Sequence, residues 1–286
     1  SAGIENTNYL VTTAQGDFIL TLYEHFEADE LAGYLDLLVQ LAKYERYYPY
    51  PLADRQQQRL QFLFGQPAAL FKCLPGQSLH VISVLQCQAL AMALARFHLS
   101  SSRLDFDKKN PKGIVWLQST AHSLAARLSA QDLALVEDEL AYQLKQSTEH
   151  LSHGVIHADL FKDNVLFCDN ALTGLLDFYA ACCDWYLLDV AITLNDWCVN
   201  QQGVFDREQQ VVFMQAYQQV RAISEEELEA LPVLLRRACL RFWLSRLQHQ
   251  LYPKAGEVTQ EKDPEVFRDL LLQHRQFYVD TPISLA

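Results

Sequence analysis

The sequence predicts an α+β protein of two lobes: a small antiparallel-sheet lobe over residues 1–75 and a large, mainly helical lobe over residues 76–286. Three observations lead there. Apolar runs of strand length, punctuated by Gly- and Pro-containing turns, fill the first quarter of the chain. From Leu79 onward apolar residues recur at helical spacing instead. Between His153 and Asp177 that helical course gives way to strand-like fragments around a dense polar cluster.

Tyr9 to Thr13 and Phe18 to Tyr23 flank Ala14-Gln15-Gly16-Asp17, a short turn of the kind that closes a hairpin. Leu31, Leu35, Leu38, Leu41 and Ala42 then repeat with helical period behind the acidic stretch Glu27 to Glu30, which suits the positive end of a helix dipole. Pro49 and Pro51 break the pattern. Arg59 to Phe64 and Pro67 to Leu74, separated by Gly65-Gln66, read as a second strand pair, and Pro75-Gly76 closes the sheet-rich part. Helices are expected over Val81 to His98, Trp116 to Leu128 and Asp132 to His150. Val155-Ile156, Val165-Leu166-Phe167 and Leu175-Leu176 are strand-like. Helices resume over Trp185 to Val199, Arg207 to Val220, Glu225 to Tyr252 and Pro264 to Tyr278.

Composition excludes several classes. Half of the 286 residues are hydrophobic, so a substantial core is available and overall disorder is excluded. No apolar run reaches the roughly 18 residues of a membrane span, and Ser1-Ala2-Gly3-Ile4 does not read as a secretion signal. A soluble protein with no membrane partner is expected. The first residue is not Met, so further residues are expected upstream. A formal charge of -12, without a Lys/Arg-rich block, makes nucleic acid a poor partner. Seven cysteines, with no paired CxxC spacing, read as buried free thiols of a reducing cytoplasm.

The chemistry concentrates in His157-Ala158-Asp159-Leu160-Phe161-Lys162-Asp163-Asn164, followed thirteen residues later by Asp177 in Leu175-Leu176-Asp177-Phe178-Tyr179. Phosphoryl transfer calls for residues of these types at such spacing. One carboxylate meets an attacking hydroxyl, while an amide oxygen a few residues on and a second carboxylate hold magnesium against phosphates. The hydrophobic residues Val165 to Phe167 and Leu172 to Leu176 would form the hairpin that sets their separation. Asp159 is thus the candidate base, and Asn164 and Asp177 the candidate metal ligands. A polar turn capped by Asp and Asn is the plainer alternative, and the strand-like run with a second Asp at compatible spacing argues against it.

This cluster resembles a kinase catalytic loop and metal motif, and the wider match with the aminoglycoside-phosphotransferase-like kinases runs from the Gly3 loop to the helices after Asp177. Gly3-Ile4-Glu5-Asn6-Thr7-Asn8-Tyr9, the catalytic stretch through Phe167, Asp177-Phe178-Tyr179, Ala191 to Cys198 and Leu240 to Leu247 look most like the homoserine kinases among them. The resemblance implies a protein-kinase-like fold and ATP-dependent, Mg²⁺-dependent transfer to the side-chain hydroxyl of L-homoserine, giving O-phospho-L-homoserine for threonine synthesis. It gives His157 a structural role, despite a near-neutral pKa that would suit a base. It implies that Gly3, Asn6 and Asn8 cover the phosphates, against the plainer reading of an ordinary turn, and it makes the backbone at Lys72 and Cys73, where β-structure passes into the interlobe linker, a candidate to pair with adenine, against the plainer reading of an edge strand. Where many kinases carry a strand lysine, this chain has Thr21, so the usual Lys to helix-Glu ion pair is not expected and Lys162 is a candidate to compensate at the phosphates. Phe178-Tyr179 replaces the Phe-Gly of protein kinases.

A zwitterionic acceptor needs an acceptor for its ammonium and a donor for its carboxylate. Asp196 and Tyr179 are candidates for the first; Arg241, Arg246 and Lys162 for the second. Against these stands the reading in which Asp189 and Asp196, seven apart on one helix, brace the catalytic loop or face water, and in which Arg241 and Arg246 make only surface ion pairs. Trp197, Phe242 and Trp243 read as core. Another alcohol acceptor (choline, methylthioribose or an aminoglycoside) and an inactive nucleotide-binding relative remain the alternatives.

Overall fold

The computed structural model describes residues 6–148, 150–252 and 262–277. β1 (Asn6–Thr13) and β2 (Gly16–Tyr23) form the expected hairpin around Ala14-Gln15, with Gly16 at φ 122°, a backbone conformation that L side chains rarely adopt. α1 (Ala28–Leu41) buries Leu31, Tyr34, Leu35, Leu38 and Leu41 along one stripe. β3 (Gln61–Leu63) and β4 (Gln66–Lys72) complete an antiparallel sheet of order β1-β2-β4-β3. β3 is shorter than the apolar run around it, because Phe64 and Gly65 both take positive φ to turn the chain.

The remainder is mainly helical. α2 (Val84–Ser101) starts later than its apolar pattern because Ser83 and Gln86 form a reciprocal capping box. α3 (Ile114–Leu124) and α4 (Ala130–Leu144, capped by Ser129) follow, and α4 stops short of His150. β5 (His153–Ile156) pairs with β8 (Cys182–Trp185), a strand that sequence periodicity does not announce, while β6 (Val165–Cys168) and β7 (Ala171–Leu175) form the expected hairpin. α5 (Tyr186–Trp197), α6 (Arg207–Gln218), α7 (Glu225–Leu251) and α8 (Glu265–Phe277) close the fold.

α5 is the axis of this part, buried on every face between the β5–β8 pair and α7. Its apolar residues Leu187, Leu188, Ile192 and Leu194 belong to the core, and at about 1.5–3 kcal/mol each they supply much of the local stability. A helix so enclosed can keep polar side chains only if each is satisfied. Asn195 donates to Leu235 O (2.9 Å) and pairs with His274 (2.8 Å), and Thr193 Oγ1 donates to Asp189 O (2.9 Å). Trp197 and Trp243 are core residues, and Phe242 packs on Phe161 and Phe267. None of the seven cysteines is in a disulfide; Cys87, Cys182, Cys198 and Cys239 are buried, whereas Cys168 is exposed, contrary to the expectation of burial, because it ends a surface hairpin strand. Among the described residues no helix is long and apolar enough to cross a membrane.

Candidate active site

The catalytic loop runs from the end of β5 to the start of β6 and lies along α5. Asp189 and Asp196, two turns apart and so about 10 Å along one face of the helix, each accept backbone N–H groups from it. Asp189 takes His157 N (2.7 Å) and Ala158 N (2.8 Å), and Asp196 takes Lys162 N (2.7 Å). Trp197 Nε1 adds a bond to Leu160 O (3.2 Å) between them. These anchors hold Ala158 in the left-handed region at φ 63°, which a non-glycine residue keeps only under such constraint.

Asp189 is itself completed by His98 Nε2 (3.1 Å), whose Nδ1 meets the Tyr217 hydroxyl (2.7 Å). Burial acting alone would raise the Asp189 pKa, but the donor bond from His98 and the loop amides outweigh it and hold the carboxyl below its ordinary value. Burial keeps His98 below its own ordinary pKa, so at neutral pH it acts as a neutral donor.

Within the loop, Asn164 Nδ2 donates to Asp159 O (2.8 Å) and to Asp159 Oδ2 (3.3 Å). Two acceptors at one end settle the orientation of the amide and leave Oδ1 as the atom open to a metal. Leu176, the residue before Asp177, is clamped by the loop on both sides. Its N–H donates to Asn164 O (2.8 Å), and its carbonyl accepts from His157 Nε2 (2.8 Å). His157 Nδ1 in turn accepts from Asp159 N (3.3 Å), so the ring is a neutral, buried bridge whose two nitrogens are both engaged, and burial lowers its pKa. It has no capacity to act as a base.

Asp177 follows this clamp with an exposed side chain and a left-handed backbone, φ 62° and ψ 61°. Its charge bears on Asp159: burial first and the Asp177 carboxylate second push the Asp159 carboxyl up to about 7, with Arg241, Lys262 and Lys112 pulling the other way. Asp159 and Asn164 are therefore bonded to each other, and Asp177 lies within electrostatic reach of Asp159. Among the described residues no three His, Cys, Asp or Glu side chains form a metal-sized cluster. One amide oxygen and one carboxylate are instead the sparse protein ligation that suits a Mg²⁺ whose other ligands are water and phosphate.

The other expected residues divide. Gly3 lies outside the described residues. Asn6 and Asn8 stand on β1, where Asn6 Oδ1 is buried with no hydrogen-bond partner and Asn8 Oδ1 accepts from Thr21 Oγ1 (2.7 Å). Thr21 is buried at the strand position where a lysine was not expected, and Glu30 of α1 pairs instead with Lys108. Lys72 is the last residue of β4, paired with Phe18. The Cys73 N–H is given to Asp17 O (3.0 Å), so the sheet continues one residue further and that donor is engaged within it. Two acceptor-site candidates also have other engagements. The Tyr179 hydroxyl pairs with that of Tyr23 from β2, and one Asp196 oxygen is committed to the loop. Burial raises the Asp196 pKa, opposed by Lys162. Arg246 donates to Asp263 O (2.8 Å) over the Phe267 ring, whereas Arg241 is buried and its Nε and Nη1 have no hydrogen-bond partner.

Sequence reasoning missed His98 and Tyr217, which reach Asp189 from distant helices, and it missed Lys112 and Lys262. Lys262 forms an ion pair with Asp163 (2.9 Å) beside Phe161. Lys112 donates to Ser245 Oγ (3.3 Å). Its signal was local: Lys108, Lys109 and Lys112 put three lysines within five residues of an acidic chain.

Comparison with known proteins identifies the family and the fold. A family model described as the phosphotransferase enzyme family matches residues 1–223. A homoserine kinase of Methylobacillus flagellatus is 41% identical over 271 residues, 95% of this chain and 85% of its own length. Another, from Janthinobacterium sp., is 38% identical over 275 residues, 94% of this chain and 85% of its own. The solved structure of an amicoumacin kinase with AMP-PNP and Ca²⁺ superposes with a TM-score of 0.71 at 16% identity, covering 99% of this chain and 88% of that one, and so shares the fold. The chain belongs to the phosphotransferase enzyme family, as a small-molecule kinase of its homoserine kinase branch.

Proposed function

We propose that this enzyme transfers the γ-phosphoryl group of ATP to the side-chain hydroxyl of L-homoserine, giving O-phospho-L-homoserine and ADP. The observation that carries the reading is the Leu176 clamp, whose backbone bonds to Asn164 O and His157 Nε2 fix the segment leading into Asp177 against the loop that carries Asp159 and Asn164. The homoserine kinase relatives support the choice of acceptor.

In this reading Asp159 orients the acceptor hydroxyl and takes its proton as the O–P bond forms. Asn164 Oδ1 and Asp177 would hold Mg²⁺, which would supply positive charge to neutralise the transferring phosphoryl group. A cation held on Asp177 would offset the repulsion that, after burial, raises the Asp159 carboxyl. Lys162, anchored through its amide to Asp196, is placed to offset charge on the transferred group. Asn6, Asn8 and the Gly3 loop approach the phosphates from the sheet. Residues 1–75 form the nucleotide lobe and 76–286 the lobe carrying base and acceptor pocket.

The test is a panel of hydroxyl compounds with labelled ATP and Mg²⁺: L-homoserine, choline, methylthioribose and kanamycin. Labelled O-phosphohomoserine is the expected product. Transfer to choline or kanamycin with none to homoserine removes the assignment.

A further inference from the structure

α7 carries four arginines; three of them donate to an oxygen of another residue, while Arg241 lies over the Phe242 ring (4.8 Å). Arg236 is paired with Glu139, Arg237 donates to Gln143 Oε1 (2.9 Å) and lies over Trp185, and Arg246 donates to Asp263 O (2.8 Å). Arg241 differs. It is only 4% exposed, yet Nε and Nη1 have no hydrogen-bond partner. A buried guanidinium left in that state is strongly unfavourable, and a folded chain tolerates it where an anion is to be received.

Arg241 also lies within electrostatic reach of Asp159. Its charge acts on Asp159, and Asp159, Cys182, Asp184 and Asp189 act on it in return, while none of them closes its open donors. Lys112 comes to the same place. It bonds Ser245, one helical turn beyond Arg241 on α7, and its charge likewise reaches Asp159. Asp184 is held on the other side by Asn110 Nδ2 (2.6 Å) and Trp185 N (2.7 Å). A hydroxyl acceptor at Asp159 would therefore have within electrostatic reach a buried guanidinium with two open donors.

We propose that Arg241 receives the α-carboxylate of the acceptor and thereby restricts this kinase to hydroxylated amino acids, excluding amino alcohols of the same length. The inference rests on the homoserine reading and adds the residue that enforces it. A carboxylate supplies the missing acceptors for the guanidinium, and a charge-assisted pair of this kind is stronger than a neutral hydrogen bond. An acceptor lacking the carboxylate leaves Arg241 buried and unpaired, which is the condition under which a site rejects an analogue most firmly.

The experiment compares L-homoserine with 3-aminopropan-1-ol, which is homoserine without its carboxylate, in the wild type, Arg241→Met and Arg241→Lys. Wild type should favour homoserine. In Arg241→Met the KM for homoserine should rise about 100-fold while the KM for ATP moves less than about 2-fold, and the homoserine-to-aminopropanol ratio of kcat/KM should collapse by about 100-fold. Arg241→Lys keeps the charge and core volume but loses the planar donors, so an intermediate ratio is expected, and it decides the question if Arg241→Met fails to fold. A ratio unchanged from wild type in the folded variant, or an equal loss on both acceptors, overturns the proposal while leaving homoserine as the substrate. Wild-type turnover of 3-aminopropan-1-ol with none of homoserine overturns the homoserine reading itself.

Discussion

Replacing Asp189 by asparagine removes the charge on which the catalytic loop is built, and the size of the effect follows from its bonds. One oxygen accepts His157 N (2.7 Å) and His98 Nε2 (3.1 Å), the other Ala158 N (2.8 Å). The least damaging amide keeps its oxygen where two donors converge and turns its NH₂ against the Ala158 N–H. That loses one bond to a charged acceptor, weakens two and leaves a buried N–H unpaired, together about 3–5 kcal/mol. For a chain of this size the melting temperature should fall by about 10 °C. Because Asp189 is held below its ordinary pKa, its stabilisation is complete above the unfolded value, 3.8, and is lost as the pH falls through the lower folded value. The difference between wild type and variant should therefore be full at pH 7 and shrink below about pH 4. Calorimetric unfolding across pH, with ATP binding and turnover measured alongside, tests the reasoning. ATP affinity should hold within about 3-fold and kcat should fall at least 10-fold as Asp159 loses its placement. A variant melting within about 2 °C of wild type with unchanged kcat refutes the idea that this carboxylate positions the loop.

Asp159→Asn should retain ATP binding in a direct titration and lose turnover by about three orders of magnitude; near-wild-type rates would remove Asp159 from the mechanism. The same variant should be more stable at pH 8 by about 1 kcal/mol after allowance for partial exposure. The sign follows from a folded carboxyl pushed up to about 7 against 3.8 unfolded: its ionised form is disfavoured in the fold, and the gain fades as the pH is lowered towards 4. Tyr179→Phe deletes the hydroxyl contact with Tyr23 and should lower stability by about 1 kcal/mol and kcat by about 3–10-fold at little change in homoserine KM; unchanged steady-state constants would count against a tie between the lobes. Thr21→Lys should not tighten ATP binding in calorimetry and should destabilise the fold by at least about 3 kcal/mol, since the lysine would be buried without a free carboxylate.

The catalytic octet and Asp177 were legible because phosphoryl transfer constrains residue types at short spacing, and the β6–β7 hairpin between them is local. Helix positions were legible where a period of 3.6 meets a cap, as at Ser224 with Glu227. β8 was not, since a four-residue strand containing Asp184 has no alternation to read and owes its existence to β5, about thirty residues earlier. Nor was the Tyr217–His98–Asp189 chain, whose members come from α6, α2 and α5. The sequence placed Asp189 and Asp196 seven apart but could not say whether that face met a loop or water. Only the packing of the loop along α5 distinguishes the two.

The same packing explains how the lobes are coupled without the strand lysine. Thr21 bonds within the sheet to Asn8, and the α1 carboxylate of Glu30 turns outward to Lys108, so no ion pair crosses to the metal loop through either residue. Two residues further along β2, Tyr23 crosses instead. Its hydroxyl meets that of Tyr179, and their rings pack edge to face with Phe26 and Tyr34 beside them. Burial raises the pKa of both phenols, so the contact stays neutral across the physiological range. A neutral aromatic tie is insensitive to salt, whereas a surface ion pair is screened within about 10 Å at 0.1 M. It also places its anchor two residues from Asp177. Tyr179 therefore stands in contact with β2 two residues from Asp177, and the Leu176 clamp joins that segment to Asn164 and, through the His157 ring, to Asp159.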